Sequence, residues 1–330
     1  MKVIIPVAGA GTKLRPHTYT QPKPLIPLAG KTILSFIIDQ FIEAGQTNFI
    51  FVIGYLGDKI KHYVEEYYPE INAEFVVQQE RSGTGHAIYL CKEFVSEGEE
   101  ITVVYGDTIC DYDFTEVMKS STTVLGVKKV DDPRDFGVAE LNTEGFVTHV
   151  VEKPKIPKSN LALVGVYKIN ETARMFQIIE HQIQSKNDSE YHFTEVLEAM
   201  LMARIPMKVF NVQNWFDCGK KETLLETNAT LLNKVEYASE EIPFFDNTII
   251  IHPVSIAEGC EIENSIIGPH VTIGEKTTIR SSMVKDSIIG SYSVLEKVVL
   301  HSSLIGSDAY VCGNSQSLNI GDNTEIDLSK

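Results

Sequence analysis

The apolar positions of this chain follow three different rhythms. Val3 to Val7 is a continuous apolar run and predicts a buried strand. Behind Thr32, a capping residue, Ile33, Phe36, Ile37, Phe41 and Ile42 recur at helical spacing, and Gly45 stops the helix after Ala44. Asn48 to Ile53 predicts a second strand. Ile60, Tyr63, Val64 and Tyr67 mark a helix closed before Pro69, and Ala73 to Val77 predicts a third strand. Strand alternating with helix predicts an α/β domain, a mixed, mainly parallel sheet with helices on both faces. Ile101 to Tyr105 adds a strand. Thr122 to Ile169 is β-rich, with a hairpin turn at Asn142-Thr143-Glu144-Gly145. Helices over Glu171 to Gln184, Phe193 to Ala203 and Lys221 to Lys234 follow, the last two separated by a strand at Met207 to Val212.

The third rhythm begins near Ile249. Ile267-Gly268, Ile273-Gly274 and Ile279-Arg280 recur every six residues. The repeat continues irregularly through Ile289-Gly290, Leu295, Ile305-Gly306, Val311, Ile320-Gly321 and Ile326. One aliphatic per six residues predicts a β-helix: each repeat builds one flat side and its aliphatic points inward. The expected organisation is a first domain over residues 1–236, a linker over 237–247, and a repeat domain over 248–330.

Composition narrows the class. The 330 residues are 43% hydrophobic and 22% charged, ordinary for a soluble globular protein. A net charge of −16 argues against nucleic acid as a partner, which would need a basic face. It leaves a nucleotide substrate open, since one local cluster of cations suffices. No apolar run reaches the ~18 residues of a membrane helix, so no membrane partner is expected. Five scattered cysteines without Cys-x-x-Cys spacing favour reduced thiols and a cytoplasmic location.

The candidate chemistry starts in the first loop. Ala8-Gly9-Ala10-Gly11-Thr12 leaves backbone N–H groups open to close approach, and the cations Lys13, Arg15 and Lys23 follow. Lys23 stands between two prolines, which stiffen it. This predicts a phosphate cradle. It is not a dinucleotide fingerprint, because Leu14 stands where the third glycine belongs, and no Gly-Lys-Ser/Thr follows at Walker spacing. Gly11-Thr12-Lys13-Leu14, Pro16-His17-Thr18 and Pro22-Lys23-Pro24-Leu25 instead resemble the signature of the sugar-1-phosphate nucleotidylyltransferases. That signature has arginine where this chain has Lys13. Further matches follow in order: Gln78 with Gly83-Thr84-Gly85-His86-Ala87, Gly106-Asp107, Phe136-Gly137-Val138, Glu152-Lys153-Pro154, Gly165-Val166-Tyr167 and Trp215-Phe216-Asp217-Cys218-Gly219. Each short motif has a bland reading: a helix start, a turn, a surface ion pair, a helix cap. Their common order weighs against it. The arginine of the thymidylyltransferase branch is missing at Asp188-Ser189-Glu190.

The resemblance implies a Rossmann-like catalytic domain and a C-terminal left-handed parallel β-helix. It implies transfer of a nucleoside monophosphate from an NTP to a sugar 1-phosphate with release of pyrophosphate; dTTP and glucose 1-phosphate are the first expectation, other base and sugar pairs the alternatives. Ala8 to Thr12, Gln78, Gly83 and Thr84 would bind nucleotide, Gln78 offering an amide to the base edge. Lys13 and Arg15 would hold the triphosphate, and Lys23 would balance charge at the α-phosphoryl group. Gly137, Glu152, Lys153 and Gly165 would bind the sugar phosphate, and Asp107 and Asp217 would hold Mg²⁺. Homo-oligomers are expected. A regulatory homologue without activity is the competing reading. The histidines His252, His270 and His301 raise a weaker one, an acyltransferase tail.

Overall fold

The computed structural model describes residues 1–185, 190–234, 236–239 and 241–313. The chain forms two compact units, Met1–Thr227 and Asn228–Lys330.

The first unit opens with β1 (Lys2–Pro6) and a small hairpin, β2 (Pro27–Leu28) and β3 (Lys31–Thr32). There follow α1 (Ile33–Glu43), β4 (Asn48–Ile53), α2 (Gly57–Tyr67), β5 (Asn72–Val77), α3 (Thr84–Tyr89) and β6 (Ile101–Val104). The expected cap is present: the Thr32 hydroxyl accepts from the Ser35 N–H at 3.1 Å. Next come β7 (Thr108–Asp111), α4 (Phe114–Lys119), β8 (Thr123–Lys129), β9 (Gly137–Leu141), β10 (Val147–Glu152) and β11 (Leu161–Ile169). The unit closes with α5 (Thr172–Ser185), α6 (Phe193–Met202), β12 (Met207–Asn211), β13 (Asn214–Asp217) and the start of α7 (Lys221–Leu232).

The main sheet runs β10-β9-β11-β6-β1-β4-β5, with β8 beside β11 and β12 beside β8. It is mixed, as expected: β5, β4, β1 and β6 are mutually parallel, while β11 is antiparallel to β6, β8 and β9. Alternation along the strands feeds two cores. Ile4, Ile50, Val52 and Val103 are fully buried in one cluster with Ala87 and Ile88 of α3, Phe176 of α5 and Phe193 of α6. Phe49 and Phe51 stack on the opposite face, where Phe41 of α1 meets Phe49 edge-on at 6.4 Å. Helices thus cover both faces of the parallel strands.

That parallel run points β1, β5 and β6 at one edge, and their loops meet there. The Val7 N–H donates to Val52 O, the Gln78 N–H to Ile53 O, and the Gly106 N–H to Pro6 O. The approach is close: a Cβ on Gly106 would fall 2.2 Å from Val7 Cγ1. Beyond the main sheet, β13 pairs antiparallel with β7 and sets Asp217 opposite Thr108. This ribbon and α4 have no counterpart in the sequence reading.

The second unit is a parallel β-helix. Among the described residues, three sheets of four short strands stack in register, and Ile250, Ile267, Val284 and Leu300 form one such ladder. Its steps are 17, 17 and 16 residues, shorter than three full hexapeptides, so the six-residue period drifts. Ile262, Ile267, Val271, Ile279, Val284, Ile289 and Leu295 fill the interior. Serines satisfy backbone donors between coils: Ser265 Oγ accepts from the Ser282 N–H at 3.1 Å, and Ser282 Oγ from the Val298 N–H at 3.2 Å. In the stretch expected as a linker, Ile242 and Phe245 pack on this core. The repeats expected at Ile320-Gly321 and Ile326 lie outside the described residues. Among the described residues, no helix is long and apolar enough to cross a membrane.

Candidate functional site

Two cavities open at the edge where the loops after β1, β5 and β6 meet. The first, of about 390 Å³, is lined by Ala8, Gly9 and Gly11, by Lys23, and by Gln78, Gly83 and Thr84. The second, of about 300 Å³, is lined by Gly137, Glu152, Lys153, Gly165 and Asp217. Thr84, Tyr105, Asp107 and His192 line both. Six of the eight residues expected to bind nucleotide and all four expected to bind the sugar phosphate therefore line adjoining spaces with Asp107 on the common wall.

The floor of the first cavity depends on one glycine. Gly83 has φ +90°, and a Cβ there would lie 2.5 Å from Tyr191 O. The close approach lets two segments zip together: the Gly85 N–H donates to Tyr191 O at 2.7 Å and the Tyr191 N–H to Ser82 O at 2.9 Å. The Phe193 N–H, at the start of α6, donates to Thr84 Oγ1 at 2.9 Å. Gln78, expected to offer its amide to a base edge, is buried and lines the first cavity. Its NH₂ donates to Gly83 O at 3.1 Å and lies 3.2 Å from His86 Nδ1.

In the second cavity, Glu152 ends β10, and its Oε2 accepts from the Thr194 hydroxyl at 2.8 Å. Lys153 follows with φ +42°, its Nζ 3.6 Å from Glu152 Oε1. Gly165 lets the Tyr105 ring lie on the backbone of β11; a Cβ there would meet Tyr105 Cδ2 at 2.7 Å. Burial pushes the Tyr105 phenol up to about 12, so it stays a neutral hydrogen-bonding group. Phe136 and Trp215 close the wall edge to face, 4.7 Å between centroids.

Charge concentrates where the cavities join. Lys23 Nζ lies 2.5 Å from Asp107 Oδ2. The ribbon of β7 and β13 brings Asp217 to the same place, and the Cys218 N–H donates to Asp107 O at 3.2 Å. Burial raises the Asp217 carboxyl above its ordinary range, the charge of Asp107 adds to this, and Lys23 and Lys13 oppose it. Two carboxylates on one cavity, with one strained by burial and by the other, form a hard-oxygen donor set that suits a small dication. Asp217 does not cap α7, which begins four residues later at Lys221.

Not every expected residue lines these spaces. Ala10 is buried behind the loop, and Thr12 opens a short 3₁₀ turn on its exposed side. Lys13 is exposed, although its charge reaches Asp217. Arg15 lies over the Tyr19 ring at 5.0 Å. Asp188 and Ser189 lie outside the described residues. Sequence reasoning missed Tyr105, Thr194, His192 and Arg81, all of which line one or both cavities. His192 and Thr194 stood within a stretch already singled out for its missing arginine.

Comparison with known proteins gives the family. The nucleotidyltransferase Agl11 of low-salt glycan biosynthesis in Haloferax volcanii is 29% identical over 99% of this chain and 100% of its own. The bifunctional protein GlmU of Methanocaldococcus jannaschii is 34% identical over 78% of this chain; the match spans 61% of GlmU, about three fifths of its length. A UDP-glucose pyrophosphorylase crystallised with UDP-glucose has the same fold over 71% of this chain and 98% of its own, with a TM-score of 0.62 at 23% identity. Residues 2–234 match the family model described as nucleotidyl transferase, and the chain belongs to that family.

Proposed function

We propose that the protein transfers a nucleoside monophosphate from an NTP to a sugar 1-phosphate and releases pyrophosphate. The observation that carries this is the shared wall: a cavity with a base-reading glutamine and a phosphate loop adjoins one with a carboxylate–lysine pair, and Asp107 borders both. The sugar phosphate oxygen attacks the α-phosphorus in line, and both reactants are anions. Catalysis is then positioning and neutralisation. Glu152, held by Thr194, accepts hydrogen bonds from sugar hydroxyls, and Lys153 grips the sugar phosphate as a point charge. Lys23 balances charge at the α-phosphoryl group. Asp107 and Asp217 would hold Mg²⁺, which when bound would supply positive charge to offset the anionic reactants. A phosphate dianion is already a nucleophile near neutral pH, so no side chain is assigned as general base.

The first pair to test is dTTP with glucose 1-phosphate. Pyrophosphate release is recorded for the purified protein with Mg²⁺ across five NTPs and several sugar 1-phosphates. Strong release with one pair establishes the activity and names the substrates. Nucleotide binding without release from any pair makes the protein a binding homologue.

A further inference from the structure

Four residues border both cavities, and three of them are already engaged. Thr84 Oγ1 accepts from the Phe193 N–H at 2.9 Å, and Asp107 faces Lys23 at 2.5 Å. The Tyr105 phenol hydrogen-bonds with Thr84 and Tyr167. The fourth is His192, the one basic side chain of the set. Among the described residues neither of its ring nitrogens makes a hydrogen bond. The Glu190 carboxylate stands 3.8 Å from Nε2, beyond bonding reach. The main chain around His192 is nevertheless fixed: the Gly85 N–H donates to Tyr191 O, the Tyr191 N–H to Ser82 O, and the Phe193 N–H to Thr84. His192 immediately precedes α6, yet its side chain does not cap the helix. The ring has a held base and no bond to make within the fold.

The second cavity is short of donors for a phosphate. The first offers the open N–H groups of the loop after β1, together with Lys23 and Arg81. Among the described residues, Lys153 is the one other cation lining the second, and it lies 3.6 Å from Glu152 Oε1. Asp107, Asp135 and Asp217 line the same space, so an anion entering there meets more carboxylates than cations.

We infer that His192 is a further catalytic residue of the transfer: it donates a ring N–H to the phosphate of the sugar substrate and helps hold that phosphate at the join of the two cavities. This deepens the proposed function and rests on the reading that the second cavity takes a sugar 1-phosphate. A donor on a fixed segment loses little freedom when the anion arrives. A hydrogen bond to a charged acceptor is also about twice as strong as one between neutral groups.

The test replaces His192 by Phe, which keeps a ring and deletes the donors, and by Gln or Asn, whose amide NH₂ stands in for Nε2–H or Nδ1–H. The sugar 1-phosphates of the release screen are titrated by calorimetry, with Mg²⁺, into protein saturated with an NTP whose α- and β-phosphorus are joined by a methylene group and cannot be cleaved apart. In His192→Phe the affinity for the sugar 1-phosphate that binds wild type should fall about tenfold, and kcat/KM for it about tenfold to a hundredfold. The affinity for the NTP analogue alone should not change. His192→Gln or His192→Asn should restore most of the loss. Urea midpoints should stay at the wild-type value, because the ring bonds to nothing in the fold. Wild-type sugar 1-phosphate affinity in His192→Phe would overturn the inference. So would a loss that neither amide restores, or one that follows a lowered urea midpoint. If His192→Phe does not fold, His192→Ala takes its place under the same criteria. The expected binding pattern without pyrophosphate release leaves His192 as a phosphate ligand and fails the transferase reading. Absence of sugar 1-phosphate binding to wild type overturns both.

Discussion

The ammonium of Lys23 stands 2.5 Å from Asp107 Oδ2 and ties the loop after β1 to the loop after β6. The Lys23 side chain is only 12% exposed, against 39% for Asp107, so the lysine is held while the carboxylate keeps access to the cavities. Replacing Lys23 by Met leaves Asp107 and Asp217 without their nearest counter-charge. Lys23→Met and Asp107→Asn should each lower kcat/KM for pyrophosphate release about a hundredfold to a thousandfold. The double variant should be little worse than either, because the two groups act on one charge. Wild-type turnover in Asp107→Asn would overturn its proposed role as a Mg²⁺ ligand.

Thr194 supports Glu152, the carboxylate proposed to read the sugar. Its hydroxyl donates to Glu152 Oε2 at 2.8 Å. Thr194→Val keeps the shape and deletes the bond, which is worth about 1 kcal/mol. The KM for sugar 1-phosphate should rise about fivefold with the KM for NTP nearly constant. Steady-state kinetics with each substrate varied in turn checks this, and an equal rise in both would show a general loss of structure instead.

Gly83 cannot carry a side chain. A Cβ would meet Tyr191 O at 2.5 Å, and φ +90° adds backbone strain. Gly83→Ala should cost about 1–3 kcal/mol of stability, read from the urea midpoint, and should weaken NTP binding at the same time. Gly145, at φ +82° but with nothing near its added Cβ, is the control: Gly145→Ala should strain the hairpin turn and leave NTP binding alone.

What could be read from the sequence divides by distance along the chain. Helix α1 was legible because its signals are local: Thr32 at one end, Gly45 at the other and a clean apolar stripe between. The ribbon of β7 and β13 was not. Each strand is four residues long, too short to show a period, and the partners lie about a hundred residues apart. Helix α4 is six residues long and is held by an Asp113 cap and by Phe114 against Phe41 at 5.0 Å, a contact sequence cannot show. The site followed the same rule. Asp107 and Asp217 were singled out by motif, whereas the orientation of the Gln78 amide follows from which atom faces Gly83 O. His86 lay in plain view in Gly83-Thr84-Gly85-His86, without a signal for its contact with Gln78.

Stability should fall in mild acid, and two histidines give the direction. Burial lowers the pKa of His86, with Glu80 opposing, and lowers that of His17. Below the ordinary histidine range the unfolded chain takes up protons that the folded chain resists, so their contribution is complete above about pH 6.5 and is lost as pH falls through the folded values. Protonated His86 would also turn a donor toward the Gln78 NH₂. Urea midpoints between pH 7.5 and pH 5 should decline on this account. His86→Asn should flatten that slope; an unchanged slope would mean that His86 titrates normally.

Arg280 stands among three carboxylates of the β-helix, 2.8 Å from Glu263 Oε1, 3.4 Å from Glu261 Oε2 and 3.8 Å from Glu296 Oε1. All four side chains are substantially exposed, so Arg280→Ala should cost less than about 1 kcal/mol at physiological salt. The cost should vanish near 1 M salt, where the screening length is about 3 Å. A loss that persists in high salt would point to packing by the arginine stem.

The ladders of the second unit repeat at 16 or 17 residues, so each coil is built from its immediate neighbours. One coil adds about 4.8 Å of height. Insertion or deletion of a whole coil would keep every remaining pairing in register, because the main chain above and below the change meets an equivalent surface. In the main sheet, where β6 and β11 pair across some sixty residues, an insertion must instead be absorbed by a loop. The tail is therefore a structure whose height is set in discrete increments by gene length, and evolution can tune reach there without renegotiating a core.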